Sequence, residues 1–432
     1  MAQELQLEWW RPQPQTESAE EDRHPEAPQQ GSLPYWSLMA FTGVLLFSPQ
    51  NYIPALAPFR PALLVIGIGI LSFLADRWAR RLPLIEWTRE AKLIAALATL
   101  AALTVPWSAW PGGTLSVLIE YVKTAAVFVL LSHVITTTAR LRQTAWILTA
   151  MAIGLGLFAV YNSLTGVTIE DRVMGNQATL TRNPNDLALM INLLLPLTVG
   201  LFLSTEVPWQ RTILLMAIGM EALTVVLTYS RGGAITLGVI FLVYLWKLRR
   251  RPERSWMYGL IAVAVLSLPL LPASYFERMS TITNLQADRT GSAQERWSDM
   301  VIAGKTILAN PLLGAGMGMN SLAMREARGG GWVPVHNVYL EHALDLGIPG
   351  LLVFLGLLAS CLNGAALVQH QAVSRPLYAL AQGLHVSLIA YATAAMFHPV
   401  SYHYYFYYIA GLAVAARSIA ATRPDAAEEV HA

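Results

Sequence analysis

Charge is what this chain has least of. Only 13% of its 432 residues are Asp, Glu, Lys or Arg, against roughly 25% in an ordinary soluble domain, and 55% are hydrophobic. A water-soluble globule of this length needs far more ionisable surface, which excludes the soluble enzyme folds. Cysteine is almost missing: a single Cys361, inside an apolar run, excludes a disulfide framework and any cysteine-based metal site. A net charge of +2 offers no basic surface, so no nucleic-acid partner is expected. The first residues lack the basic start and short apolar core of a signal peptide, and no cleavage is expected. No clustered Asp, Glu and His pattern demands a metal, so neither a metal nor another cofactor is expected.

Apolar runs are what the chain has instead. A bilayer core takes about 20 apolar residues per helix. Windows of that size fall near 35–50, 60–76, 90–107, 114–136, 143–163, 184–204, 211–229, 233–247, 255–272, 345–366, 377–397 and 402–420. The expectation is an all-α polytopic membrane protein of about 12 spans. Its segments are a disordered tail at 1–32, spans one to nine within 33–272, a long polar-rich segment at 273–344, spans ten to twelve within 345–421, and a tail at 422–432. Basic residues gather in loops that one orientation places inside: Arg77, Arg80, Arg81, Arg89 and Lys92, then Arg140 and Arg142, then Lys247, Arg249, Arg250, Arg251 and Arg254. Positive loops face the cytoplasm, so both termini are expected there.

Ionisable groups left on the outer side are costly near lipid and therefore informative. Arg182-Asn183-Pro184-Asn185-Asp186 opens the sixth span, with Asn183 suited to an N-cap and Pro184 to the first helical position. The positive end of that helix dipole, beside Arg182, favours an anion; a plain cap with a snorkelling arginine is the alternative. Tyr229-Ser230-Arg231-Gly232-Gly233 places a guanidinium between two apolar runs with no acidic neighbour, and its fork matches phosphate bidentately. Ser292-Ala293-Gln294-Glu295 has the spacing of a capping box for a helix running to about Asn310. Arg296 then lies by the positive end of that helix, a conflict that a bound anion or a pair with Asp299 relieves. Gly314-Ala315-Gly316-Met317-Gly318 follows no strand and is no dinucleotide loop; its glycines suit close approach to a helix or ligand. His336 opens a further helical stretch and can titrate near neutral pH as a base, or serve as a cap. Glu120 and Lys123 are spaced to pair on one helix face, Glu221 is expected to be a buried hydrogen-bonding group, and Tyr402, Tyr404, Tyr405, Tyr407 and Tyr408 read as an interfacial belt.

Taken in order, Arg182-Asn183-Pro184-Asn185-Asp186-Leu187-Ala188, Thr228-Tyr229-Ser230-Arg231-Gly232-Gly233, Arg296-Trp297 with Asn310-Pro311-Leu312-Leu313-Gly314-Ala315-Gly316, and His336-Asn337-Val338-Tyr339-Leu340-Glu341 resemble the O-antigen ligase and polymerase superfamily of bacterial envelope proteins. The resemblance implies a membrane-embedded, GT-C-like glycosyltransferase of the bacterial inner membrane. It implies a metal-independent transfer, with inversion, from an undecaprenyl-pyrophosphate-linked glycan to a hydroxyl of the lipid A core. Membrane lipids surround the protein and the site faces the periplasm, which would make 273–344 the catalytic segment. It further implies that Arg231 and Arg296 engage the pyrophosphate and that His336 assists the acceptor, giving a catalytic set of His336, Arg231 and Arg296. Arg182, Asn185, Arg289, Asn337 and Tyr339 complete the expected substrate contacts, with Arg182 matching less closely. Two alternatives stay open: a polymerase using the same donor, and a transporter of twelve spans with Asp76-Arg77-Trp78-Ala79-Arg80-Arg81 as its loop motif. A transporter should gather polar residues at the midplane; here they lie toward the outer side.

Overall fold

Long apolar runs can satisfy their backbone in lipid only as helices, and proline and polar turns punctuate them. The computed structural model describes residues 31–169, 172–176, 178–249, 254–282, 291–372 and 374–422. Apart from a few edge residues, the tails expected at 1–32 and 422–432 lie outside these, as do Arg250, Arg251 and Arg289. The helices are α1 (Ser32–Phe47), α2 (Pro61–Ala79), α3 (Arg89–Thr104), α4 (Pro111–Val134), α5 (Thr138–Thr165), α6 (Pro184–Ser204), α7 (Pro208–Leu227) and α8 (Arg231–Leu248). They continue as α9 (Arg254–Ser267), α10 (Ala273–Ser280), α11 (Ser292–Ala309), α12 (Asn320–Ala323), α13 (Val338–Gln371), α14 (Arg375–Ala394) and α15 (Tyr404–Ala421). A two-stranded hairpin, β1 (Thr168–Ile169) with β2 (Arg172–Val173), joins α5 to α6. Pro61, Pro111, Pro184 and Pro208 each open a helix, where a missing N–H leaves nothing unpaired.

The chain is an all-α polytopic membrane protein. Among the described residues nine helices are long and apolar enough to cross a bilayer. The other spans read from the sequence correspond to α1, with 16 residues, α9, with 14, and the tyrosine-rich α15. The centre is α6, buried over most of its length and pressed onto α14. A Cβ on Gly200 would stand 2.7 Å from Ala379 O, and one on Gly383 2.5 Å from Pro196 O, so only glycine permits that approach. Glu221 is buried as expected and accepts from Thr198 Oγ1 at 2.8 Å. Glu120 and Lys123 pair at 2.6 Å. At the end away from α6's start, Arg417 donates to both carboxylate oxygens of Glu90 (2.7 and 2.6 Å), tying α15 to α3.

The tyrosine belt is not what the structure contains. Tyr405, Tyr407 and Tyr408 are buried inside the bundle. Tyr402 donates to Asp345 Oδ2 at 3.0 Å, Tyr405 to Leu180 O at 2.7 Å, and Tyr408 shares a 2.8 Å hydrogen bond with Thr42. An α15 facing other helices on most sides recruits these hydroxyls as internal partners, which hydropathy alone does not distinguish from an interfacial ring.

α13 is broken at Gly347 (φ 71°, ψ −176°), and Pro349 two residues on has no N–H. The carbonyls of Leu344 and Asp345 thereby lose their helical donors. The glycine-rich loop supplies replacements: Ala315 N donates to Leu344 O (2.8 Å) and Gly316 N to Asp345 O (2.9 Å). In return Ile348 N donates to Pro311 O at 2.7 Å, and Gly318 N to Asp345 Oδ2 at 2.8 Å. The loop mends a broken helix. The boundary expected at 344/345 therefore falls inside α13, just ahead of its break.

Candidate active site

The end of the bundle where α6, α8 and α13 begin collects the polar groups. At the α7–α8 junction Tyr229 takes φ 50°, a left-handed conformation that reverses the chain in one residue. Ser230 caps α8: its Oγ accepts from Gly233 N (3.2 Å) and donates to Asn185 Oδ1 (2.8 Å). Gly233 lies against α6 so closely that a Cβ there would stand 2.6 Å from Ala188 Cβ. The starts of α6 and α8 are thus side by side.

The last carbonyls of α7 need donors from outside the helix. Arg172 Nε donates to Thr228 O (3.2 Å) and its Nη2 to Asn185 Oδ1 (2.6 Å); Arg278 Nε donates to Tyr229 O (2.9 Å). Two guanidinium groups therefore hold the turn from which Arg231 projects. Arg231, half-buried, donates through Nη1 to Thr281 Oγ1 (2.8 Å) and through Nη2 to Ser292 Oγ (2.7 Å). The capping box expected at Ser292 does not form as written. Gly291 (φ 68°) occupies the N-cap and Ser292 the first helical position, so the serine hydroxyl is available to Arg231.

His336 reaches the same region from α13. Asn337, not His336, is the cap, its Oδ1 accepting from Tyr339 N (3.0 Å) and Leu340 N (3.1 Å). α11 docks on α13 through a small core including Ala303, Ile307, Val335 and Leu344, which brings the first turn of α11 toward His336. Asp299 on that helix pairs with Arg328 at 2.6 Å. The charge of Arg296 is felt at both His336 and His398.

A cavity of about 150 Å³ opens between these elements, lined among others by Asn183, Asn185, Asp186, His336, His398 and His403. Nδ1 of His336 is buried without a hydrogen-bond partner. Burial first, then the positive charge of Arg296, pushes the His336 imidazole down to about 4. This corrects the expectation of titration near neutrality. His398 is also held down by burial, although Nδ1 faces Ala394 O (2.9 Å) and Nε2 faces Asn185 O (3.1 Å).

The structure brings Asn185, Arg231, Arg296 and His336 to one end. Arg182 is exposed and does not line the cavity, although Asn183 caps α6 as expected, accepting from Asn185 N at 2.8 Å. Neither Asn337 nor Tyr339 lines the cavity. Asn337 caps α13, and Tyr339 donates to Ala392 O at 2.7 Å while its ring packs on Phe354. Sequence reasoning passed over Arg172, Arg278, Asp186 and His398 as site residues. Among the described residues no group of three His, Cys, Asp or Glu is placed to hold a metal ion.

Residues 213–355, about a third of the chain, match the family model described as O-antigen ligase. The match contains Arg231, Arg296, the glycine-rich loop and His336, and it bears out the resemblance to that superfamily. No curated protein matches the chain in sequence. A chain of the solved structure described as "Structural coordination of polymerization and crosslinking by a peptidoglycan synthase complex" aligns over 78% of this chain and 96% of its own, with 17% identity and a TM-score of 0.44. The family match supports a ligase- or polymerase-type role in glycan assembly at a membrane.

Proposed function

We propose that this protein is an O-antigen ligase of the bacterial inner membrane. It would move a glycan from undecaprenyl pyrophosphate to a hydroxyl of the lipid A core, at a site facing the periplasm, with both termini in the cytoplasm. The observation that carries this is the meeting of Arg231, the charge of Arg296 and a neutral His336 at one end of the bundle, beside the cavity that His336 lines, within the segment that matches the ligase family.

The chemistry is a displacement. The acceptor oxygen bonds to the anomeric carbon, the carbon–oxygen bond to pyrophosphate breaks, and pyrophosphate leaves with the electron pair, so configuration inverts. A lipid pyrophosphate is already a good leaving group, so the protein chiefly neutralises charge and orients the acceptor. Fixed donors aimed at developing charge are worth about 3–4 kcal/mol each in favourable sites. Arg231 and Arg296 take that part, helped by the positive dipole end of α8. With two guanidinium groups supplying the positive charge, the transfer proceeds without a metal. His336, neutral, holds the acceptor hydroxyl.

The deciding experiment is the lipopolysaccharide pattern of a deletion strain. Loss of all long chains from lipopolysaccharide, with lipid-linked long chains accumulating, is expected. Lipopolysaccharide carrying a single repeat would instead identify a polymerase.

A further inference from the structure

We infer that Asp186 is the carboxylate that accepts the proton of the attacking hydroxyl. The inference deepens the glycosyl-transfer reading and rests on it. Asp186 lies in the first turn of α6, and it lines the same cavity as His336, His398 and His403. It is the one carboxylate among the residues lining that cavity. A transfer that inverts at an anomeric carbon needs a base on the acceptor's side, and a carboxylate is the usual group for that task.

The neighbouring groups divide the work. Arg231 is turned toward Thr281 and Ser292, so the cationic side of the site lies toward α10 and α11. Arg172 is bound to Asn185, one residue before Asp186, through the asparagine oxygen. His398 has each ring nitrogen facing a backbone carbonyl, which leaves it no open position for a substrate proton. His336 has an unpaired Nδ1 but sits under the charge of Arg296, which opposes a second positive charge there. The step balances simply. The hydroxyl oxygen bonds to the anomeric carbon, its proton passes to a carboxylate oxygen of Asp186, and the pyrophosphate departs with the bonding pair.

First-turn acids also stabilise a helix start, so Asp186 has an ordinary structural alternative. Two variants separate the roles in detergent-purified full-length protein, assayed with an undecaprenyl-pyrophosphate-linked glycan and lipid A core. Asp186→Asn is isosteric and keeps an oxygen toward the helix start, but cannot take up a proton. Its kcat is expected to fall about 10²–10⁴-fold with the donor KM within twofold of wild type. Asp186→Glu, which keeps but displaces the carboxylate, is expected to lower kcat about tenfold while retaining at least ten times the kcat of Asp186→Asn. A structural acid would leave Asp186→Asn within tenfold of wild type, or raise the donor KM with kcat preserved; either result overturns the proposal. Should Asp186→Asn fail to insert, Asp186→Glu alone decides. A displaced base lowers kcat at least tenfold at an unchanged melting temperature, whereas wild-type kcat overturns the role. Absence of transfer by the wild-type protein refutes the ligase reading itself, and the base falls with it.

Discussion

Arg231 and His336 show how far a side chain's neighbours define its chemistry. Arg231 already uses two nitrogens of its fork on Thr281 and Ser292, which fixes the guanidinium plane at the start of α11. A lysine has one point charge and no fork, so it can neither hold that plane nor meet two oxygens at once. Arg231→Lys and Arg296→Lys are each expected to lower transfer on the order of 10²–10³-fold while the protein still inserts; activity near wild type in a reconstituted assay would remove the pyrophosphate clamp. His336 carries the opposite lesson. Its folded-state value of about 4 lies below the ordinary imidazole value, so lowering the pH from 7 to 5 leaves it neutral. An acid limb of the rate profile in that interval therefore belongs to another group and should persist in His336→Gln. Its disappearance in that variant would show that His336 is the titrating group. Loss of the hydrogen bond itself in His336→Ala should lower turnover about 10–100-fold, with donor binding unchanged.

At the scale of elements, the active end depends on two joints. The first is the turn between α7 and α8, held by Arg172 and Arg278 through the carbonyls of Thr228 and Tyr229. A charged donor to a backbone carbonyl contributes about 1.5–3 kcal/mol. Arg278→Ala is thus expected to raise the donor KM roughly tenfold by loosening the base of Arg231, with Arg278→Lys recovering part of it. An unchanged KM in both variants would show that the turn holds without that contact. The second joint is the break in α13 with the glycine-rich loop paired to it. The sequence signalled the glycines of the loop and their fitness for close approach to a helix. Which helix the loop would serve was not legible, because the pairing is backbone to backbone and carries no side-chain pattern. The capping box illustrates the reverse problem. Ser292 and Glu295 have the right spacing, yet a left-handed Gly291 takes the cap and the serine hydroxyl accepts from Arg231, 61 positions away.

For the whole molecule, hydropathy located the helices well because lipid leaves the backbone no other choice. Apolar runs do not say which face meets lipid and which meets another helix, so the tyrosines of α15 were misplaced although their helix was found. The candidate site was legible where it depends on rare residues in apolar surroundings, as with Arg231, Arg296 and His336. It was hidden where it depends on the α14–α15 turn, since His398 meets Asn185 O across 213 positions of sequence. Orientation in the membrane rests on loop charge alone, which makes it the property most in need of a direct test. The lone Cys361 is buried, so the wild-type chain gives a nearly silent background for an impermeant thiol reagent. Ser298, exposed on α11, lies at the active end, and Leu84, 51% exposed between α2 and α3, lies at the opposite end. With basic loops inside, Ser298→Cys should label in intact spheroplasts and Leu84→Cys only after permeabilisation. The reverse pattern would place the cavity in the cytoplasm, where no glycan bound for the outer surface could be joined to its acceptor, and would overturn the ligase assignment together with the orientation.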